Sequence, residues 1–192
     1  MPLASTRSEF LEVFKELTPV LLVGGVLQLL TGLLLKSIFL LATTPGILVM
    51  LPALMNLRGA LEAEFAARLG TAYHIGAFGK GSQLLKHFAS NDLKASIAMT
   101  AILSVYAGVV SFAAATAMGV GASLYMFVLI AFVSSMAGTI IVSSLSVAMV
   151  KLSIRRRLDP DNVTIPVMTA FSDAVLALVV FIIVMIFWRV LA

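Results

Sequence analysis

Apolar residues dominate the chain in five long runs, and short polar stretches separate these runs. The runs cover roughly residues 19–41, 46–69, 93–117, 123–150 and 164–188. A helix rises about 1.5 Å per residue, so each run can cross a hydrocarbon core about 30 Å thick. The runs are too long for the strands of a membrane barrel, and they lack period-two alternation. The pattern predicts an all-α membrane protein with five transmembrane helices per chain.

A different pattern precedes the first run. In SEFLEVFKEL, residues 8–17, apolar side chains recur at helical spacing beside charged ones. This predicts a short amphipathic helix with Ser8 as its N-cap, which would lie in the membrane interface or pack on the spans. Pro19 fits the start of the next helix. We therefore divide the chain into an interfacial segment, residues 1–18, and a five-helix transmembrane domain, residues 19–192.

Composition supports the membrane class. Hydrophobic residues make up 61% of the chain and charged residues 11%, with a mean hydropathy of +1.11. A soluble domain is usually about 45–50% apolar and carries about 25% charged residues, so both departures favour a membrane protein. The absence of cysteine excludes disulfide scaffolds and thiolate metal sites. We expect the lipid bilayer as a partner and no nucleic acid.

Basic residues occupy only some of the connections between the runs. The connections 42–45 and 118–122 carry no charge. The other two connections hold Lys80, Lys86, Lys94, Lys151, Arg155, Arg156 and Arg157. With five spans, both basic connections and the N-terminus lie on one side of the membrane. The positive-inside rule then predicts a multi-pass cell-membrane protein with a cytoplasmic N-terminus and an outer C-terminus.

Asp173 is the only acidic residue in the fifth run, about 14 Å from the start of that run. An ionisable group at this depth costs about 2.5–3.5 kcal/mol on insertion scales. The carboxyl group must be neutral, paired with another helix, or bound to a cation. Hard divalent cations such as Mg²⁺ prefer oxygen ligands, and Thr169, one turn earlier, could add another oxygen. Asp173 is therefore a candidate metal ligand, and a structural hydrogen-bonded aspartate is the alternative.

The second run contains five polar residues: Asn56, Arg58, Glu62, Glu64 and Arg68. Arg58 and Glu62 are four residues apart, as are Glu64 and Arg68, so each pair can close on its own helix. Glu62 and Asn56 could instead supply oxygen ligands to a metal ion. The residues alone leave both interpretations open. We expect Arg58 to be held by Glu62 or by an acidic group on another span.

Two further groups of polar residues lie between the runs. We expect His74 and His87 to be solvated loop residues, because no third ligand accompanies them. Asp159 and Asp161 flank a proline, so they could form a turn or an acidic vestibule at the inner end of the bundle.

Two stretches of the chain carry a family resemblance. Residues 51–76 read LPALMNLRGALEAEFAARLGTAYHIG, and residues 158–181 read LDPDNVTIPVMTAFSDAVLALVVF. Both resemble the transmembrane domain of the MgtE family of magnesium transporters, and most closely its solute-carrier relatives. In those proteins the second span carries a P-x-L-x-x-x-R-G-x-x-E pattern. Their last span follows a D-P-D-N connection and carries a proline and then an aspartate.

The resemblance implies a homodimer with a cation pore on its two-fold axis, lined by the second and fifth spans. The pore carboxylate maps onto Asp173, with Pro166 as the preceding proline. The second-span motif maps onto Pro52, Leu54, Arg58, Gly59 and Glu62. Many members have asparagine after the motif glycine, where this chain has Ala60. Only residues 1–18 precede the first span, so we expect no cytoplasmic regulatory domains ahead of it.

The resemblance thus implies a transporter or channel for Mg²⁺, with Mn²⁺ or Co²⁺ as further ions. A cation exchanger of the same fold, coupled to Na⁺ or H⁺, is an alternative. An intramembrane enzyme is a weaker alternative. Asp173 and Glu62 could form a carboxylate pair, but neither the G-x-G-D motif nor the H-E-x-x-H motif of such enzymes is present. A structural membrane subunit is the third, although it would have no need of Asp173.

Overall fold

The computed structural model describes residues 3–41, 46–76, 82–121 and 123–191, with side chains at 10–39, 46–76, 90–121 and 123–186. The helices are α1 (Leu3–Leu41), α2 (Gly46–His74), α3 (Ser82–Ala117), α4 (Leu124–Arg155) and α5 (Pro160–Leu191). All five are long and apolar enough to cross a membrane. The prediction of an all-α protein with five transmembrane helices is confirmed.

The predicted N-terminal helix and the first span form one continuous helix. Helix α1 begins at Leu3, so Ser8 lies inside the helix and does not cap it. Pro19 also lies inside α1, so residue 18 marks no break in the helix. Proline removes one backbone hydrogen bond, here the one to the carbonyl of Lys15, but membrane helices tolerate it.

The third helix begins earlier than the apolar pattern predicted. Helix α3 starts at Ser82, so Asn91 and Asp92, residue types that often cap a helix, lie within it. Instead of capping a helix, Asp92 pairs with Arg68 of α2 at 3.3 Å. The two histidines expected in a loop are also helical, since His74 ends α2 and His87 belongs to α3.

Some of the predictions concern positions outside the described part of the chain. The connection 42–45 and Lys80 lie outside the described residues. The side chains of Ser8, Lys86 and His87 also lie outside the described set.

Helix α5 occupies the centre of the packing, in contact with α1, α2 and α4. Helix α1 packs along α5 in the same direction. The Asn162 amide donates to Glu16 at 3.0 Å, and the Gln28 amide donates to Asp173 at 2.7 Å. The two contacts are about 18 Å apart along α1 and about 17 Å apart along α5. Equal spacing along both helices shows that they lie side by side.

At each end of the bundle, the end of one helix lies beside the start of another. At one end the last residue of α2, His74, lies 3.4 Å from Asp161 near the start of α5. At the other end Gly46 starts α2 beside Phe127 and Ala115; a Cβ at Gly46 would lie 2.8 Å from the phenylalanine ring. Successive helices therefore run in opposite directions, which places both basic connections at the same end of the bundle.

The main apolar core lies toward the end of the bundle without basic connections. Its members come from all five helices: Ile38, Met50, Leu51, Leu54, Ala107, Ala115, Phe127, Ile130, Ala131, Leu176, Val180 and Val184. Smaller apolar clusters form around Phe65 and around Val142 nearer the opposite end. Polar side chains from α2, α4 and α5 are buried between these clusters.

Helices α3 and α4 approach each other closely at Gly108. A Cβ at this position would lie 2.8 Å from the Cα of Val128 and 3.1 Å from the carbonyl oxygen of Phe127. These are backbone atoms, which cannot rotate away as a side chain can. Small residues at such crossings let membrane helices pack tightly.

We expect Gly108→Ala to destabilise the bundle, because the added methyl group pushes α3 away from α4. Overpacking of this kind costs about 1–3 kcal/mol, or about 2–4 °C of melting temperature per kcal/mol for a chain of this size. Thermal unfolding of the detergent-solubilised protein measures the change. Gly25→Ala is the matched control, because a Cβ there would meet no atom within 4 Å. Equal melting temperatures for the two variants would contradict the close contact.

Candidate functional site

Asp173 lies in the middle of the bundle, about 20 Å along α5 from its first residue. One carboxylate oxygen, Oδ2, accepts a hydrogen bond of 2.7 Å from the Gln28 amide of α1. The other, Oδ1, is buried and has no hydrogen-bond partner among the described residues. Of the alternatives left open by the sequence, the structure shows a pairing with another helix. The partner is a neutral amide, so one carboxylate oxygen stays free to accept.

The face of α5 that carries Asp173 is polar over its inner half. Asn162, Pro166 and Thr169 precede Asp173 at spacings that place all four on one side of the helix. The Thr169 hydroxyl donates to the carbonyl of Pro166 at 3.0 Å, so its oxygen keeps its lone pairs. The structure therefore brings three of the predicted site residues, Pro166, Thr169 and Asp173, onto one face.

Arg58 is completely buried near the middle of α2. Its Nη1 donates to the Thr139 hydroxyl and, at 3.2 Å, to the Ser135 carbonyl of α4. Its Nη2 donates to the Ser172 hydroxyl of α5 at 3.1 Å and to Glu62 at 3.3 Å. A single guanidinium group therefore joins α2, α4 and α5.

Glu62 belongs to this buried network. The carboxylate is 1% exposed, pairs with Arg58 at 3.3 Å, and accepts a bond from the Ser143 hydroxyl at 3.4 Å. The expectation that Arg58 is held by Glu62 is confirmed. The Glu64–Arg68 pair also closes on α2, in an exposed position. In this structure the charge of Glu62 is compensated inside the protein and is not presented at the surface.

The residues of α4 that surround Arg58 were not predicted from the sequence. A Cβ at Gly138 would lie 2.9 Å from the guanidinium carbon of Arg58, so glycine makes room for the side chain. Ser135, Thr139 and Ser143 recur every four residues along α4, and all three are buried. This spacing of hydroxyl groups was the signal that could have revealed a polar face.

One face of α2 remains exposed in the single chain and carries polar and small side chains. The exposed positions at helical spacing are Pro52, Asn56, Ala60, Glu64 and Ala67. Gly59 borders this face, and a Cβ there would meet no atom within 4 Å. Asn56 lies on this exposed face and is not part of the buried network around Arg58. An exposed amide is unfavourable against lipid, so this face needs another cover.

The end of α2 meets the start of α5 in a cluster of ionisable groups. His74 lies 3.4 Å from Asp161 and 4.0 Å from Asp159, and the ligand atoms of all three lie within 4.8 Å of one another. The expectation that His74 lacks companion ligands is wrong, because α5 begins directly against the end of α2. Asp159 also accepts a bond of 3.0 Å from the backbone N–H of Asp161, which is the predicted turn. The Asp161 carboxylate packs so closely on Gly70 that a Cβ there would overlap it.

A pocket of about 550 Å³ opens beside this cluster, at the end of the bundle that carries the basic connections. Its lining includes the carboxylates of Glu12, Glu16 and Asp159 and the guanidinium of Arg157. Asn162, near the start of α5, also lines it. A cavity therefore lies beside Asp159, where a vestibule was suggested by the sequence, and it adjoins the face of α5 that carries Asp173.

Comparison with models of protein families matches residues 51–184 to MgtE, described as a divalent cation transporter. The match covers more than half of the chain and includes Arg58, Glu62 and Asp173. Searches of curated proteins and of solved structures found no match.

We expect removal of Arg58 alone to destabilise the protein more than removal of Arg58 and Glu62 together. Arg58→Met leaves the Glu62 carboxylate buried without its cation, which costs about 3–5 kcal/mol. Arg58→Met/Glu62→Met removes both charges and regains part of this loss. Equilibrium unfolding in mixed detergents measures the free energies.

Arg68→Met is the control for this comparison, because the Arg68–Glu64 pair is about half exposed. Such a pair contributes only about 0–1 kcal/mol. A double variant that is no more stable than Arg58→Met would contradict the buried ion pair.

Proposed function

The chain belongs to the MgtE family of divalent cation transporters, and from this membership we propose that it carries hydrated Mg²⁺ across the cell membrane. The family is one of transporters and not of enzymes. The observation that carries the proposal is the Asp173 carboxylate, held at mid-membrane with one oxygen unpaired among the described residues. Mn²⁺ and Co²⁺ share the preference for oxygen ligands and are candidate second ions.

The environment of Asp173 suits weak, reversible binding of an ion. Mg²⁺ gives up its water reluctantly and is commonly held by one or two carboxylates with several waters still attached. Asp173 offers its carboxylate, and Thr169 offers a hydroxyl oxygen on the same face of α5. A site with so few protein ligands binds weakly enough to release the ion, which conduction requires.

We propose a homodimer in which the exposed face of α2 turns toward the second copy. Asn56 on this face is a polar group that lipid would leave without a partner, and the Glu64–Arg68 ion pair on α2 is also exposed. Ala60 and Ala67 between and beyond them allow two helices to approach closely. In a two-fold dimer the same residues face each other, so the second copy also supplies a second Asp173 to the path. Asn56 would then offer an amide oxygen toward the path.

The inner mouth of the path lies at the pocket beside His74. The basic connections at this end orient it toward the cytoplasm, with the N-terminus inside and the C-terminus outside. Their positive charge would repel cations, and the carboxylates of Glu12, Glu16 and Asp159 around the pocket offset that repulsion. From here the polar face of α5 leads to Asp173.

Arg58 and Glu62 act as supports in this proposal. Both side chains are buried and bound to each other, and Arg58 holds Ser172 immediately before Asp173. The pair fixes α5 relative to α2 and keeps a positive charge out of the ion path.

We expect Asp173→Asn to abolish Mg²⁺ flux, because the amide lacks the charge that holds a divalent ion. The measurement is Mg²⁺ entry into proteoliposomes that contain the purified chain, with the folded state checked by gel filtration. Asp92→Asn is the matched control, since it removes one carboxylate that pairs with Arg68 away from α5. Equal flux through Asp173→Asn and the wild type would remove Asp173 from the mechanism. Flux that requires an imposed Na⁺ or H⁺ gradient would favour the exchanger.

We expect a cysteine at Ala60 to cross-link two copies of the chain. The chain has no cysteine, so a single substitution is the sole reactive thiol. In membranes treated with a mild oxidant, Ala60→Cys should form disulfide-linked dimers. Ile140→Cys, on an exposed apolar part of α4 that is 55% exposed, should stay monomeric. Cross-linking of Ile140→Cys but not of Ala60→Cys would overturn the proposed interface.

A further inference from the structure

We infer that Gln28 is a second residue of the ion site: its amide holds Asp173 in the absence of an ion and turns its oxygen toward the hydrated ion when one is bound. The inference rests on the proposed function and extends it to α1, a helix outside the residues matched to the family.

Gln28 is out of place in its own helix. The segment PVLLVGGVLQLLTGLLL, residues 19–35, has only one side chain, that of Thr31, with a hydrogen-bonding group besides the Gln28 amide. The Thr31 hydroxyl donates to the carbonyl of Leu27 on its own helix at 2.9 Å. Gln28 instead reaches to α5. A buried or lipid-facing amide needs such a partner, because hydrocarbon supplies none.

The position of Gln28 relative to Asp173 is set by the packing of α1 on α5. Gly24, one turn before Gln28, lies against Ala170, with 3.7 Å between the Cβ of Ala170 and a Cβ built on the glycine. The close approach at Gly24 brings the Gln28 amide within 2.7 Å of the Asp173 carboxylate. Apolar contacts also attach α1 to the bundle, since Ile38 belongs to the main core. The helix therefore does not depend on the Gln28 bond alone for its attachment.

The amide can serve both states of the site because it carries a donor and an acceptor on one rotatable group. In this structure its Nε2 donates to Oδ2 of Asp173, a charge-assisted bond. A donor that points at a bound cation would be unfavourable. Rotation about the last torsion of the side chain, which is a soft one, replaces the nitrogen with the Oε1 oxygen. That oxygen can then accept hydrogen bonds from water in the first shell of the ion.

Gln28 is also accessible from the surface of the protomer, whereas Asp173 is half-buried behind it. The amide covers Oδ2, while the unpaired oxygen, Oδ1, is buried deeper in the protomer. An ion that approaches Asp173 from the surface therefore meets the Gln28 amide first.

The test compares Gln28→Met, Gln28→Glu, Asp173→Asn and the wild type in the proteoliposome assay, over a range of Mg²⁺ concentrations. Gln28→Met keeps the length of the side chain but has no strong donor or acceptor. We expect it to raise the half-saturating Mg²⁺ concentration by up to about tenfold, because the bound state loses an acceptor for the water of the ion, and the bond lost in the free state offsets part of this effect. Gln28→Glu keeps the oxygen and adds a charge, so we expect a lower half-saturating concentration and a slower maximal flux. Calorimetric titration of the detergent-solubilised variants with Mg²⁺ should show the same order of affinities.

Ser37→Ala is the control on the same helix, because the Ser37 hydroxyl bonds the carbonyl of Leu33 within α1. It should behave as the wild type. Wild-type flux and affinity in Gln28→Met, with flux lost in Asp173→Asn, would overturn the role of Gln28 and leave the proposed function intact. Weaker Mg²⁺ binding in both Gln28→Met and Gln28→Glu would show that only the Nε2 donor of Gln28 matters. This result would overturn the proposed role of the Oε1 oxygen. Undiminished flux in Asp173→Asn would instead remove the proposed function.

Discussion

A guanidinium group in the middle of a membrane protein must find its acceptors within the protein, because hydrocarbon offers none. Arg58 finds them on α4, on α5 and, through Glu62, one turn along its own helix. These bonds fix the height and rotation of α5 against α2. Since Ser172 accepts one of them, the neighbouring Asp173 is turned to the adjacent face, toward α1. The placement of the candidate ion ligand therefore follows from the burial of Arg58.

The two carboxylates at mid-membrane have different surroundings, and this difference separates their roles. Glu62 is enclosed and faces a cation, so its charge is compensated by the fold. Asp173 accepts a bond from a neutral amide, and its other oxygen has no partner in the described part of the chain. The charge of Arg58 acts on Asp173 from a distance, without a hydrogen bond. The charge of Asp173 is thus less fully compensated than that of Glu62, and for this reason we propose Asp173, and not Glu62, as the ligand of a divalent ion.

The spans and part of the site could be predicted from the sequence, whereas the ends of the helices could not. The length of an apolar run reflects the thickness of the hydrocarbon core. The backbone hydrogen bonds of a helix do not depend on hydropathy, so the helix can continue beyond its apolar run. For this reason α3 starts at Ser82, ahead of its apolar run, and α1 passes through Pro19. The Arg58–Glu62 pair was predictable because a spacing of four residues places two side chains together on any helix. Asp173 stood out because no other acid shares its span.

By itself the sequence determined how many helices cross the membrane, in which alternating directions, and which residues are foreign to hydrocarbon. Only the tertiary structure decided which partners those residues meet. Gln28 and Asp173 are 145 residues apart, and no local period connects them. Apolar helices in lipid have little hydrophobic preference for one face over another, so burial alone does not select their pairing. Close packing at glycines and directional hydrogen bonds select it, and both depend on all the helices being in place.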